Sequence, residues 1–114
     1  MEPQTSKNSG TQQNPQDEEI KSLEKMFEDL KLRLEIDGYE NLHVERQEPN
    51  GFFLTQRTSG GWFSRGSEDL LLSVSQNGRN YLLAHVVSPE IGYIVRGHLE
   101  SYRQDRGLRE VIYH

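Results

Sequence analysis

The side chains able to do chemistry in this chain are few and scattered. His43, His85, His98 and His114 fall on four separate stretches, with no H-x-x-x-H or comparable metal-ligand spacing. There is no cysteine, which removes thiolate zinc sites, disulfides and a thiol nucleophile. Gly60 and Gly61 run into Trp62 and Phe63 rather than into a lysine and threonine ahead of a helix, so no phosphate-cradling loop is formed. No serine stands in a nucleophile-elbow context. His85 falls in the middle of an apolar run, opposite Leu70 in the expected pairing, and His98 falls on the apolar stripe of a helix. Both are places where imidazole is ordinarily a hydrogen-bonded core or boundary group. Catalysis needs a nucleophile or activated water beside a tuned base. This set points to a non-enzymatic protein without a metal or organic cofactor.

Binding chemistry is better represented. Residues 1–50 hold twelve Asp/Glu against six Lys/Arg, whereas residues 51–114 hold six against seven, and all seven are arginine. Guanidinium recognises carboxylate and phosphate bidentately, which lysine does not. The connector over 57–68, RTSGGWFSRGSE, carries the chain's one tryptophan beside Phe63 and two arginines. Aromatics of this size often close the end of a core, and the same composition is enriched at binding hot spots. The functional assignment is a protein contact with Trp62 and Phe63 as anchors, Arg65 as a clamp at the rim, and Arg57 and Arg79 as further contact residues. The alternative is a small nucleic-acid-binding domain in which Arg57, Arg65 and Arg79 meet phosphates while aromatics stack on bases. A pI near 5.3 and the absence of lysine after Lys31 weigh against it, because phosphate binding is driven by charge.

The elements that must position these residues are legible in the hydropathy pattern. Residues 1–16 are rich in Gln, Asn, Ser, Thr and Pro and cannot bury enough surface to offset their ordering entropy, so a disordered tail is expected ahead of one domain over 17–114. Ile20, Leu23, Phe27, Leu30 and Leu34 recur at helical spacing, which predicts a helix over 17–36 capped by Asp17 and ended at Asp37-Gly38. Strands are predicted over 41–47 and 51–58, joined by Glu48-Pro49-Asn50-Gly51 as a type I turn with a glycine bulge. Strands over 69–76 and 79–87 flank Asn77-Gly78, the best short signal for a type I′ hairpin. That pairing sets Val74 against Tyr81 and Leu72 against Leu83. Ser88, Pro89 and Gly107 bracket a second helix over 89–106, and 109–113 reads as a strand at the sheet edge.

Gly51-Phe52-Phe53-Leu54, Leu72-Ser73-Val74-Ser75 and Leu99-Glu100-Ser101-Tyr102-Arg103 resemble the ordered landmarks of Src-homology-two domains. That family sets its phosphate-binding arginine directly after Phe-Leu-Val. Gln56 stands in that place here and Arg57 is one step later, on the opposite face of the strand, so the family's site is not carried over.

The fold class is therefore α+β: an antiparallel four- to five-stranded meander packed against an N-terminal and a C-terminal helix. If both helices cover one face, the expected pairing leaves Leu71, Leu82, Ala84 and Val86 on the other without a lid. Such a face is expected to meet another protein or a second copy of the chain. The chain reads as an adaptor, regulator or subunit of a larger assembly. With neither a signal peptide nor an apolar run of membrane-spanning length, a soluble intracellular location and no membrane partner are expected.

Overall fold

A computed structural model of the chain describes residues 15–58, 67–78 and 80–114. The elements are α1 (Pro15–Ile36), β1 (Leu42–Gln47), β2 (Gly51–Thr58), β3 (Ser67–Asn77), β4 (Tyr81–Val86), a 3₁₀ turn (Pro89–Ile91), α2 (Gly92–Arg106) and β5 (Glu110–Tyr113). The expected tail over 1–14, and Trp62, Phe63, Arg65 and Arg79, lie outside the described residues. The fold is α+β, with a five-stranded open sheet in the order β1-β2-β3-β4-β5. The first four strands form the antiparallel meander. β5 runs parallel to β4, because α2 intervenes as the crossover that a parallel neighbour requires.

Leu23, Phe27, Leu30 and Leu34 of α1 are fully buried, and Phe27 meets Phe52 of β2 with ring centroids 5.6 Å apart. On the outer side of α1, Lys25 pairs with Asp29 at 3.3 Å, Lys31 with Glu35 at 3.7 Å and Arg33 with Asp37 at 3.5 Å. Exposed pairs of this kind contribute about 0.3–0.5 kcal/mol each, whereas truncating one buried leucine costs about 2–5 kcal/mol. Packing on the sheet, not the ion-pair ladder, holds the helix. α1 begins at Pro15, a residue suited to the first helical turn, so Asp17 lies inside that turn and is not its cap. Ser88 does occupy the N-cap position of the 3₁₀ turn, but makes no side-chain capping bond. Gly107 closes α2 at φ 70°, as its spacing predicted.

Two turns differ from expectation. Gln47 pairs with Gly51 around Glu48, Pro49 and Asn50, with a cis Glu48–Pro49 peptide. Gly51 is not in the left-handed region, so no glycine bulge forms. Its role is close approach: a Cβ there would sit 2.5 Å from the Val74 carbonyl oxygen. The turn is tied to β3 instead, since Asn50 Nδ2 donates to Gln76 O at 2.7 Å and Gln76 N donates to Asn50 O at 3.0 Å.

The β3–β4 connection also has three residues rather than two. Asn77 pairs with Tyr81, Val74 with Ala84 and Leu72 with Val86. Compared with the type I′ pairing, β4 has slipped by three positions, and an odd slip turns every side chain of that strand over. Leu82 and Ala84 are fully buried in the core with Leu72, Val74, Ile91, Val95 and Leu99. His85 stands opposite Ser73, not Leu70. Leu71 is the extra residue where the β2–β3 register shifts between Leu54 and Thr55; it is 7% exposed and belongs to the core. The residues expected on an uncovered face are thus the ones the helices cover.

A buried polar chain fixes the same hairpin. Tyr102 OH donates to Gln76 Oε1 at 2.6 Å, and Gln76 Nε2 donates to Gly78 O at 3.0 Å. Gln76 is 3% exposed, and the two bonds give both its amide oxygen and its amide nitrogen a partner. Burial pushes the Tyr102 phenol up to about 12, which keeps it a donor.

Gly51→Ala is expected to lower stability by about 1–3 kcal/mol, the usual cost of forcing atoms into a closed contact. Urea denaturation of the two proteins measures it; an unchanged midpoint would show that β2 and β3 are not this close.

Candidate functional site: the open face of the sheet

Strand alternation and the observed pairings assign each side chain to one face. Phe52, Leu54, Leu72, Val74, Leu82, Ala84, Val111 and Tyr113 turn toward the helices and are buried or packed on the core. Arg96 of α2 lies 4.1 Å above the Tyr113 ring, which fastens β5 beneath that helix.

The opposite face carries a different set. Running from β1 to β5, one row is Glu45, Phe53, Ser73 and His85, with His114 beside His85. The next row is Gln47, Gly51, Ser75, Leu83 and Ile112. Phe53, Leu70, Tyr81, Leu83 and Ile112 are all half-buried, and none is among the apolar side chains packed on the core. Among the described residues no helix lies over them.

Polar groups on this face are held in place. Ser73 Oγ donates to Gln47 Oε1 at 3.1 Å, Thr55 Oγ1 donates to Glu68 Oε2 at 3.3 Å, and Asn77 Nδ2 donates to the Tyr81 hydroxyl at 2.9 Å. The His85 and His114 rings stack with centroids 5.5 Å apart and planes 27° apart. His85 is exposed, so the core or boundary role expected for it does not hold. Stacked rings do not converge their nitrogens on one point, and among the described residues no group of three His, Asp or Glu side chains is placed to hold a metal.

Of the binding residues singled out by sequence, Arg57 alone is described. It is exposed at the end of β2, opposite Glu68. Gln56 points to the other face, where its amide donates to Glu40 O at 3.1 Å, in keeping with the register that separates this chain from the Src-homology-two pattern. The residues of the open face were missed, although a signal exists. Ser73 and Ser75 alternate with Leu72 and Val74, and the one polar residue of β4, His85, shares their parity in the observed pairing.

A second concave region lies between the helices. Met26 and Asp29 of α1 with His98 and Tyr102 of α2 line an open groove of about 280 Å³. Burial first, and then the Arg33 guanidinium, hold the His98 imidazole below its ordinary value, with Asp29 partly opposing. Tyr93, in the first turn of α2, is 90% exposed.

No known family model, curated protein or solved structure matches this chain. Among the described residues no helix is long and apolar enough to cross a membrane.

The depressed His98 pKa has a definite sign. The folded state takes up a proton less readily than the unfolded chain, so the stability linked to neutral His98 is complete above the ordinary value of 6.5. It is lost as pH falls from there through the lower folded value. The fall in Tm between pH 7 and pH 5 is therefore expected to be smaller in His98→Gln than in the parent. Equal falls would mean the imidazole is not shielded.

Proposed function

We propose that this protein is a non-enzymatic protein-interaction module that binds through the face of the sheet its helices leave open. The observation that carries the reading is the set Phe53, Leu70, Tyr81, Leu83 and Ile112. These five large side chains lie on one side of a rigid sheet, half-buried and outside the core. Isolated apolar side chains on a surface are ordinary, but a contiguous group of them marks a contact. Burying a side chain of this size contributes about 1.5–3 kcal/mol, and a few well-placed anchors carry most of the energy of an interface.

The charges on the face favour a protein over a nucleic acid. Glu45, Glu68 and Glu110 share it with Arg57, and Glu68 stands directly opposite that arginine, so the described residues of this face form no cationic track for a phosphate backbone. Trp62, Phe63 and Arg65, in the segment joining β2 to β3, are assigned to the same contact on residue type alone. An adaptor, regulator or assembly subunit is the role that fits such a module.

The test is a Phe53→Lys, Leu83→Lys double variant. Because neither side chain packs on the core, its stability is expected to stay within about 1 kcal/mol of the parent. Copurification from native cells should then show a partner, another protein or a differently tagged copy of the chain, retained in stoichiometric amount by the parent and lost by the variant. Equal retention by both proteins would remove the open face from the contact.

A further inference from the structure

We propose that the occupant of the open face is a second copy of this chain, packed sheet against sheet about a two-fold axis running nearly along β3. The proposal rests on the reading of that face as an interaction surface and names what it takes. Its basis is the order of side chains in the two rows that cross all five strands, which the rotation brings over themselves.

A two-fold axis along β3 exchanges β1 with β5 and β2 with β4. The outermost groups of one row are Glu45 on β1 and, at the other edge, His114 stacked on His85. Rotation sets the carboxylate of each copy against the imidazole pair of the other, so two equivalent carboxylate–imidazole contacts form at the rim. Within this row the two ends differ, a carboxylate on β1 and imidazoles on β4 and just past β5, so the rotation matches unlike groups rather than setting like against like. That is the arrangement an isologous interface needs, with residue i meeting j and j meeting i.

Size follows the same symmetry. In the next row the β4–β5 half presents Leu83 and Ile112, and the β1–β2 half presents Gln47 and Gly51, which has no side chain. Rotation lays the bulky half of each copy over the slight half of the other. On the axis itself β3 offers only Ser73 and Ser75 in these rows, small enough for two twisted sheets to approach to the usual separation of about 10 Å with strands crossing at about 30°. Pairing through the sheet edge competes poorly, because charged side chains on β1 discourage it and β5 has four residues.

Sedimentation of the full chain at micromolar concentration and pH 7 is expected to give twice the 13.2 kDa chain mass. Leu83→Lys should weaken the dimer by at least about tenfold without unfolding the protomer. Glu45→Lys should also weaken it, and adding His114→Glu to Glu45→Lys should restore it, a rescue that a structural defect could not produce. Because the chain lacks cysteine, Ser73→Cys supplies a unique thiol beside the axis, and a short bis-maleimide is expected to link two chains through it. A dimer indifferent to Leu83→Lys, or one whose Ser73→Cys form does not crosslink, overturns the proposal. If the chain is a monomer while the Phe53→Lys, Leu83→Lys variant still loses a different protein, the second copy is excluded and the open-face reading stands. A monomer with no partner dependent on that face removes both.

Discussion

The pairing of Asn77 with Tyr81 is the constraint on which the rest of the structure depends. Side chains alternate along a strand, so the position at which the β3–β4 hairpin closes decides which half of β4 joins the core. Closing it around three residues sends Leu82, Ala84 and Val86 toward α1 and α2 and sends Tyr81, Leu83 and His85 away from them. The competing two-residue closure would reverse both sets. It would expose Leu82, whose burial contributes about 2 kcal/mol. It would also set His85 under the helices, where an unpartnered imidazole costs about 1–3 kcal/mol. Those two effects act together and outweigh a local preference of Asn-Gly for one turn type.

The helix layer and the hairpin reinforce each other. α2 presents Ile91, Val95 and Leu99 to the side of the sheet that the observed register makes apolar, and its Tyr102 reaches Gln76 at the head of the hairpin. A slipped β3 would carry Gln76 away from that hydroxyl and leave a buried amide without a partner, which an apolar interior penalises heavily. At the other end of the layer, the contact of Phe27 with Phe52 seats α1 over β2. One side of a five-stranded sheet is thereby filled by two helices, and among the described residues no further element lies on the other.

That asymmetry links the architecture to the proposed contact. The covered side has close apolar packing, and the open side mixes half-buried large side chains with serines at its centre and with carboxylates and imidazoles toward its edges. Phe53 on β2, and Leu83 and Ile112 on the adjoining strands β4 and β5, are the large apolar groups of that open side. A pure core face would not carry Glu45 and His85. The combination of serines on the central strand with large apolar side chains to either side is what the proposed protein contact rests on.

Much of the fold was decided by the sequence alone, because short-range physics governs it. The helical stripe of Leu23, Phe27, Leu30 and Leu34, the alternation of Leu42 and Val44 with charged neighbours, the glycine that ends α2, and four strands between two helices all follow from periodicity and local backbone preference. What the sequence left open was the relation between elements. The register of β4, the parallel placement of β5, the bulge at Leu71 and the close approach that requires Gly51 depend on contacts between residues far apart in the chain. Local propensity therefore named the wrong hairpin closure and the wrong open-face residues. The expectation of an uncovered sheet face came from counting elements, and the identity of its side chains came only from the tertiary register.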